Sequence, residues 1–157
     1  SLDVLKMGLA RGVPEYALDP NAGGIQVAHR LWPLVREMSV SLLYDQMDYV
    51  FEGELLPQNV AALRSAYPTQ VFACFLGYSA ITPTQKLQEI RTHGGQPNDW
   101  PQEYTDVALL AVIHREIAFS HYVQAECARL GLRYFDSSHD FMSVLDDVVA
   151  YVQSKRQ

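Results

Sequence analysis

Apolar side chains recur three and four positions apart at Val27, Leu31, Leu34, Val35, Met38 and Leu42. That spacing predicts an amphipathic helix over about 26–47, with Pro33 in or near its first turns. Tyr49, Val50 and Phe51 are β-formers, and the polar Glu52-Gly53-Glu54 closes the run as a strand closes on leaving a core. A short helix to about Tyr67 follows. "QVFACFLGYSA" is an unbroken apolar run ending near Gly77, the pattern of a strand buried on both faces. Thr82 as N-cap, Pro83 at the first helical position and Gln85 three residues past the cap open another helix, which should stop at Gly94-Gly95. A long helix is expected from about Glu103 to Leu130, with Gly131 as its stop. "LRYFDSS" reads as a third strand. Ser138 or Asp140 then caps a last helix bearing Phe141, Val144, Leu145, Val148, Val149 and Val152 at helical spacing.

Three strands separated by helices, with no hairpin signal between them, predict parallel pairing through right-handed crossovers. The expected fold is therefore a single α/β domain over 1–157, three layers deep, with a mostly parallel sheet. In such sheets ligands bind outside the carboxyl ends of the strands. Here those ends carry Glu52-Gly53-Glu54, Gly77-Tyr78-Ser79 and Asp136-Ser137-Ser138, which would share one rim. "GGQPNDWPQ" is the clearest loop, and 92–102 is a candidate lid.

Composition narrows the partners. The chain has 157 residues, 48% of them hydrophobic, enough for a real core. A net charge of -6 without a basic run argues against nucleic acid, whose binding draws on Lys and Arg. A small-molecule partner is the expectation. Cys74 and Cys127 sit inside apolar runs as buried reduced thiols would, which suggests a cytoplasmic protein. No stretch has the composition of a membrane span or a signal peptide.

The opening "SLDVLKMGLARG" reads as the end of a strand running into a helix, and it starts in mid-pattern. Taken with "RLWPLVREM" and "YVFEGELLP" in that order and spacing, it resembles the P-loop nucleotide and small-molecule kinases. No G-x-x-x-x-G-K-[ST] loop occurs in the chain. The resemblance implies a kinase-like domain that lacks its first strand, phosphate loop and first helix, either because they lie upstream or because the protein never had them.

The resemblance also implies roles. Asp3 would orient an acceptor hydroxyl or act as general base, where its structural alternative is a helix cap. Arg91 and Arg115, on either side of the loop, would act as lid arginines on transferred phosphate. ATP and magnesium are the implied cofactors, with the phosphate loop supplied upstream. The residues themselves add Glu52, a carboxylate at a strand end able to position magnesium through water, with Gly53 allowing close approach. Arg11 and Arg36 could hold an anionic substrate through bidentate bonds. Glu54 reads as solvated.

His114 and His121 share a helix face but stand about 10 Å apart along it, too far to ligate one ion. His139 lies near a strand end, where a base could stack, although a surface histidine is its default. No nucleophile elbow is present. Two functions are open: ATP-dependent phosphotransfer to a small hydroxyl- or phosphate-bearing acceptor, or a non-catalytic, kinase-derived binding or oligomerisation domain. The second expects a homodimer or a partner that covers an open sheet edge.

Overall fold

The computed structural model describes residues 1–94 and 99–155. It corrects the expected fold class. Helix accounts for 65% of the described residues, in six α-helices and two 3₁₀ turns, and these residues contain a single two-stranded parallel sheet. This is not the three-layer, P-loop kinase-like sheet of at least three strands. The chain divides into two compact units, Ser1–Ala73 and Cys74–Gln157.

The N-terminal unit is helical. Helix α1 (Leu2–Gly12) starts at once, because the Ser1 hydroxyl accepts the Asp3 N–H at 3.2 Å and caps it. The opening residues are thus helix rather than the end of a strand. Helix α2 spans Gly24–Tyr44, and Pro33 lies in its interior rather than near its start. Leu2, Leu18, Val27, Leu31 and Val35 form the core, with Trp32, Phe51 and Leu55 packed against it. Helix α3 (Pro57–Ala66) opens on its proline.

Tyr49–Phe51 does not become a strand. A strand needs a neighbour to take its backbone N–H and C=O groups. Without one the segment pairs its own rings, Tyr49 and Phe51 standing 4.9 Å apart, and leaves Val50 72% exposed.

In the C-terminal unit β1 (Cys74–Gly77) pairs in parallel with β2 (Arg133–Asp136), Leu76 opposite Phe135 and Gly77 opposite Asp136. Both strands are shorter than their apolar runs. Between them come α4 (Pro83–His93) and α5 (Asp106–Leu130), and α6 (Phe141–Gln153) follows. The capping box on α4 forms as expected between Thr82 and Gln85. Thr105 caps α5, and Gly131 ends it in the left-handed region at φ 62°. Asp140, not Ser138, caps α6 by accepting the Ser143 N–H.

Ile81, Leu109, Ile113 and Ile117 form the second core, joined by Tyr78, Leu87 and Ile90. Glycine is required at position 77 for packing: an added Cβ would stand 2.5 Å from the Tyr134 hydroxyl and 3.0 Å from Ser120 Oγ. Tyr151 of α6 meets Phe135 edge-on at 5.8 Å. Beside Phe135 in the register, Leu76 is 44% exposed, and no α6 side chain is fully buried. No described helix is long and apolar enough to cross a membrane. Of the expected lid, residues 95–98 lie outside the described residues, and Trp100–Glu103 is one 3₁₀ turn.

Candidate functional site

Three of the residues expected from sequence meet in the N-terminal unit. The Glu52 carbonyl accepts the Leu2 N–H at 2.7 Å, which brings the 52–54 turn against the start of α1. Gly53 adopts φ +140°, and an added Cβ would sit 2.7 Å from that of Leu2. The close approach that Gly53 permits is therefore to Leu2. Lys6 is the centre of this junction. Its Nζ donates to Asp3 Oδ1 at 2.6 Å and to Glu54 Oε1 at 2.9 Å, and its side chain is only 12% exposed. Burial alone would lower the Lys6 pKa, but its hydrogen bonds to both carboxylates, and their charge, outweigh it and raise the ammonium above its ordinary value.

Lys6 and Glu54 are thus a strut that holds the turn to the helix. Glu54, expected to be solvated, is partly buried, with Oε2 closed off from water and from hydrogen-bond partners. The Asp3 and Glu52 carboxylates lie at the rim of the junction, 66% and 68% exposed.

The expected arginines have other work. Arg91 joins three elements: its guanidinium donates to Asp106 Oδ1 at 3.0 and 2.9 Å, to the Pro101 carbonyl at 3.0 Å and to the Tyr104 carbonyl at 2.6 Å. It fastens the end of α4 to the 3₁₀ turn and the start of α5. Arg115 pairs with its neighbour Glu116 and Arg36 with Glu37, while Arg11 lies exposed in the last turn of α1.

No three His, Cys, Asp or Glu side chains among the described residues gather as metal ligands would. A triphosphate with magnesium calls for free cations or a loop of backbone amides. Of the expected cations, Arg36, Arg91 and Arg115 are engaged in ion pairs and Arg11 is exposed at the end of α1.

The C-terminal unit brings together two of the three expected strand ends, 77–79 and 136–138. Asp136, last residue of β2, reaches across to β1: its carboxylate accepts the Ser79 N–H at 3.1 Å, the Ser79 hydroxyl, and the Ser138 N–H at 2.9 Å. Desolvation would raise the Asp136 pKa, but these hydrogen bonds from Ser138 and Ser79 outweigh it and hold the pKa below the usual carboxylate value. Gln124 Oε1 lies 3.1 Å from the same Ser79 hydroxyl, and Ser138 Oγ accepts the Ala80 N–H at 2.9 Å. Ser137 extends the ladder by donating its N–H to the Gly77 carbonyl at 2.7 Å. The two strand ends are thereby fixed to each other, and α4 and α6 leave from a rigid edge.

Beside that edge lies a cleft of about 290 Å³. One wall is a stripe of α4, where Gln85, Gln88, Glu89, Thr92 and His93 follow Ile81 at helical spacing. Ser138 and His139 form the other wall. Glu89 pairs with Lys86 at 3.1 Å, and Lys86 in turn lies 4.7 Å over the Tyr78 ring, whose hydroxyl is pushed up to about 12 by burial and by the nearby Glu116.

No family model, curated protein or solved structure matches the chain. The site must therefore be read from its own chemistry. Of the three strand ends expected on one rim, 77–79 and 136–138 meet at the edge of β1 and β2, whereas 52–54 belongs to no sheet and to the N-terminal unit; the α4 wall was not foreseen. The available signal was a polar stripe at positions 85, 88, 89 and 92 in a helix whose other face carries Leu87 and Ile90.

Proposed function

We propose that the protein is a binding protein for a small polar molecule, held in the cleft at the carboxyl edge of its C-terminal unit. One observation carries this reading: the cleft lies outside the carboxyl ends of two parallel strands, where α/β units place ligands. Its volume lies just below the roughly 300–1,000 Å³ range of drug-sized ligand sites, as suits a small molecule, and hydrogen-bonding side chains line most of it. The Asp136 bonds support the same reading, because they hold both strand ends fixed before a ligand arrives. Arg36, Arg91 and Arg115, the arginines that a phosphotransfer reading would use, are engaged here in ion pairs.

Thermal denaturation with panels of sugars, nucleosides and amino acids tests this. At ten times its dissociation constant a bound ligand adds about 1.4 kcal/mol, a rise of roughly 3–6 °C for a chain of this size. Gln88→Trp, at an exposed helix position, should fill the cleft and abolish the rise while leaving the unliganded melting temperature unchanged. A rise that persists in Gln88→Trp would place the ligand elsewhere and overturn the reading.

A further inference from the structure

We infer that the cleft selects an uncharged polyhydroxylated molecule the size of a single sugar ring. This rests on the cleft being the binding site and adds the class of its ligand.

Charge is the first discriminator. The cleft is lined by the Glu89 carboxylate and by neither lysine nor arginine, and the nearby Lys86 already pairs with Glu89. A phosphate or carboxylate entering here would meet the Glu89 carboxylate, with no lysine or arginine among the described lining residues to offset it.

Stacking surface is the second. A nucleobase gains much of its affinity from broad aromatic faces, and among the described residues the cleft offers no Phe, Tyr or Trp, only the smaller imidazole rings of His93 and His139. Ile81 is its one aliphatic contact.

The hydrogen-bonding groups are the third. Gln85 spends its Oε1 on the Thr82 N–H and hydroxyl, so its amide N–H groups remain to donate. His93 Nδ1 faces the Glu89 carbonyl at 3.0 Å. A carbonyl can only accept, so Nδ1 carries the proton, and Nε2 of the neutral ring is left as an acceptor. Glu89 holds Lys86 through Oε2 and retains acceptor capacity on Oε1. Gln88 and Thr92 each offer both a donor and an acceptor. Alternating donors and acceptors along one helix face match vicinal hydroxyls, each of which both gives and takes a hydrogen bond.

The test is ¹⁵N-detected titration of the full chain with three probes: glucose as the uncharged polyol, adenosine as the base-bearing molecule, and inorganic phosphate. Glucose is expected to shift the backbone and side-chain amides of residues 81–93 and 138–139 with a dissociation constant of about 1 mM, and Gln88→Ala should weaken it at least tenfold with an unchanged melting temperature. Shifts at these residues from adenosine or phosphate but not glucose would overturn the polyol assignment and leave the cleft as a binding site. Absence of shifts there with all three probes would overturn both.

Discussion

Asp136→Ala is expected to unfold the C-terminal unit more readily than any other single change at its carboxyl edge. The substitution removes the acceptor of the Ser79 and Ser138 N–H groups and of the Ser79 hydroxyl. Charge-assisted bonds of this kind, together with donors left unpaired, should cost about 3–5 kcal/mol. Chemical denaturation followed by far-ultraviolet circular dichroism checks the size.

The pH dependence gives a second handle with a definite sign. Because the Asp136 pKa is held below its unfolded value, the stabilisation is fully present above the unfolded value near 3.9 and is lost as pH falls through the folded one. The stability gap between the parent and Asp136→Asn should therefore be constant near neutrality and close in acid. A gap that widened on acidification would contradict the hydrogen-bonded carboxylate described here.

Gly53→Ala should have the next largest effect, confined to the N-terminal unit. At φ +140° an alanine is strained, and its Cβ would overlap Leu2, which is 2% exposed in that unit's core. Together the strain and the overpacking should cost about 2–4 kcal/mol. Trp32 packs against the same core and Trp100 belongs to the other unit, so the expected result is an earlier Trp32 transition in a Trp100→Phe background. An unchanged Trp32 transition would mean that the turn at Gly53 does not brace α1.

Local signals were the legible part of this chain. Thr82 with Gln85, Asp140 and Gly131 each mark a helix end through bonds spanning a few residues; the first and last sit where the sequence placed them, and Asp140 is one of the two caps it offered. The parallel pairing of the Cys74 and Arg133 segments was legible too, since a long crossover without a hairpin turn permits little else. Strand pairing at Tyr49–Phe51 was not, because β propensity describes a residue's fit to a sheet and says nothing of whether a neighbouring strand is there.

The same distinction separates the site residues. Lys6 and Glu54 meet across 48 positions, so neither showed more than an ordinary surface charge in the sequence, and Arg91 looked like a free lid arginine until its carbonyl partners were in place. Asp3 and Glu52 do come together with Gly53, though around a lysine strut rather than a phosphate. The resemblance to P-loop kinases rested on short motifs. Those motifs fold here as a helix start and a tight turn that support each other.

The central claim is that the carboxyl edge of β1 and β2 is a ligand site, and the most direct measurement is a crystal structure of the protein soaked with glucose. The account predicts a sugar ring between α4 and the Ser138-His139 segment, within hydrogen-bonding distance of Gln85, Gln88 and Glu89. A sugar bound elsewhere on the chain, with that cleft holding only water, would contradict it.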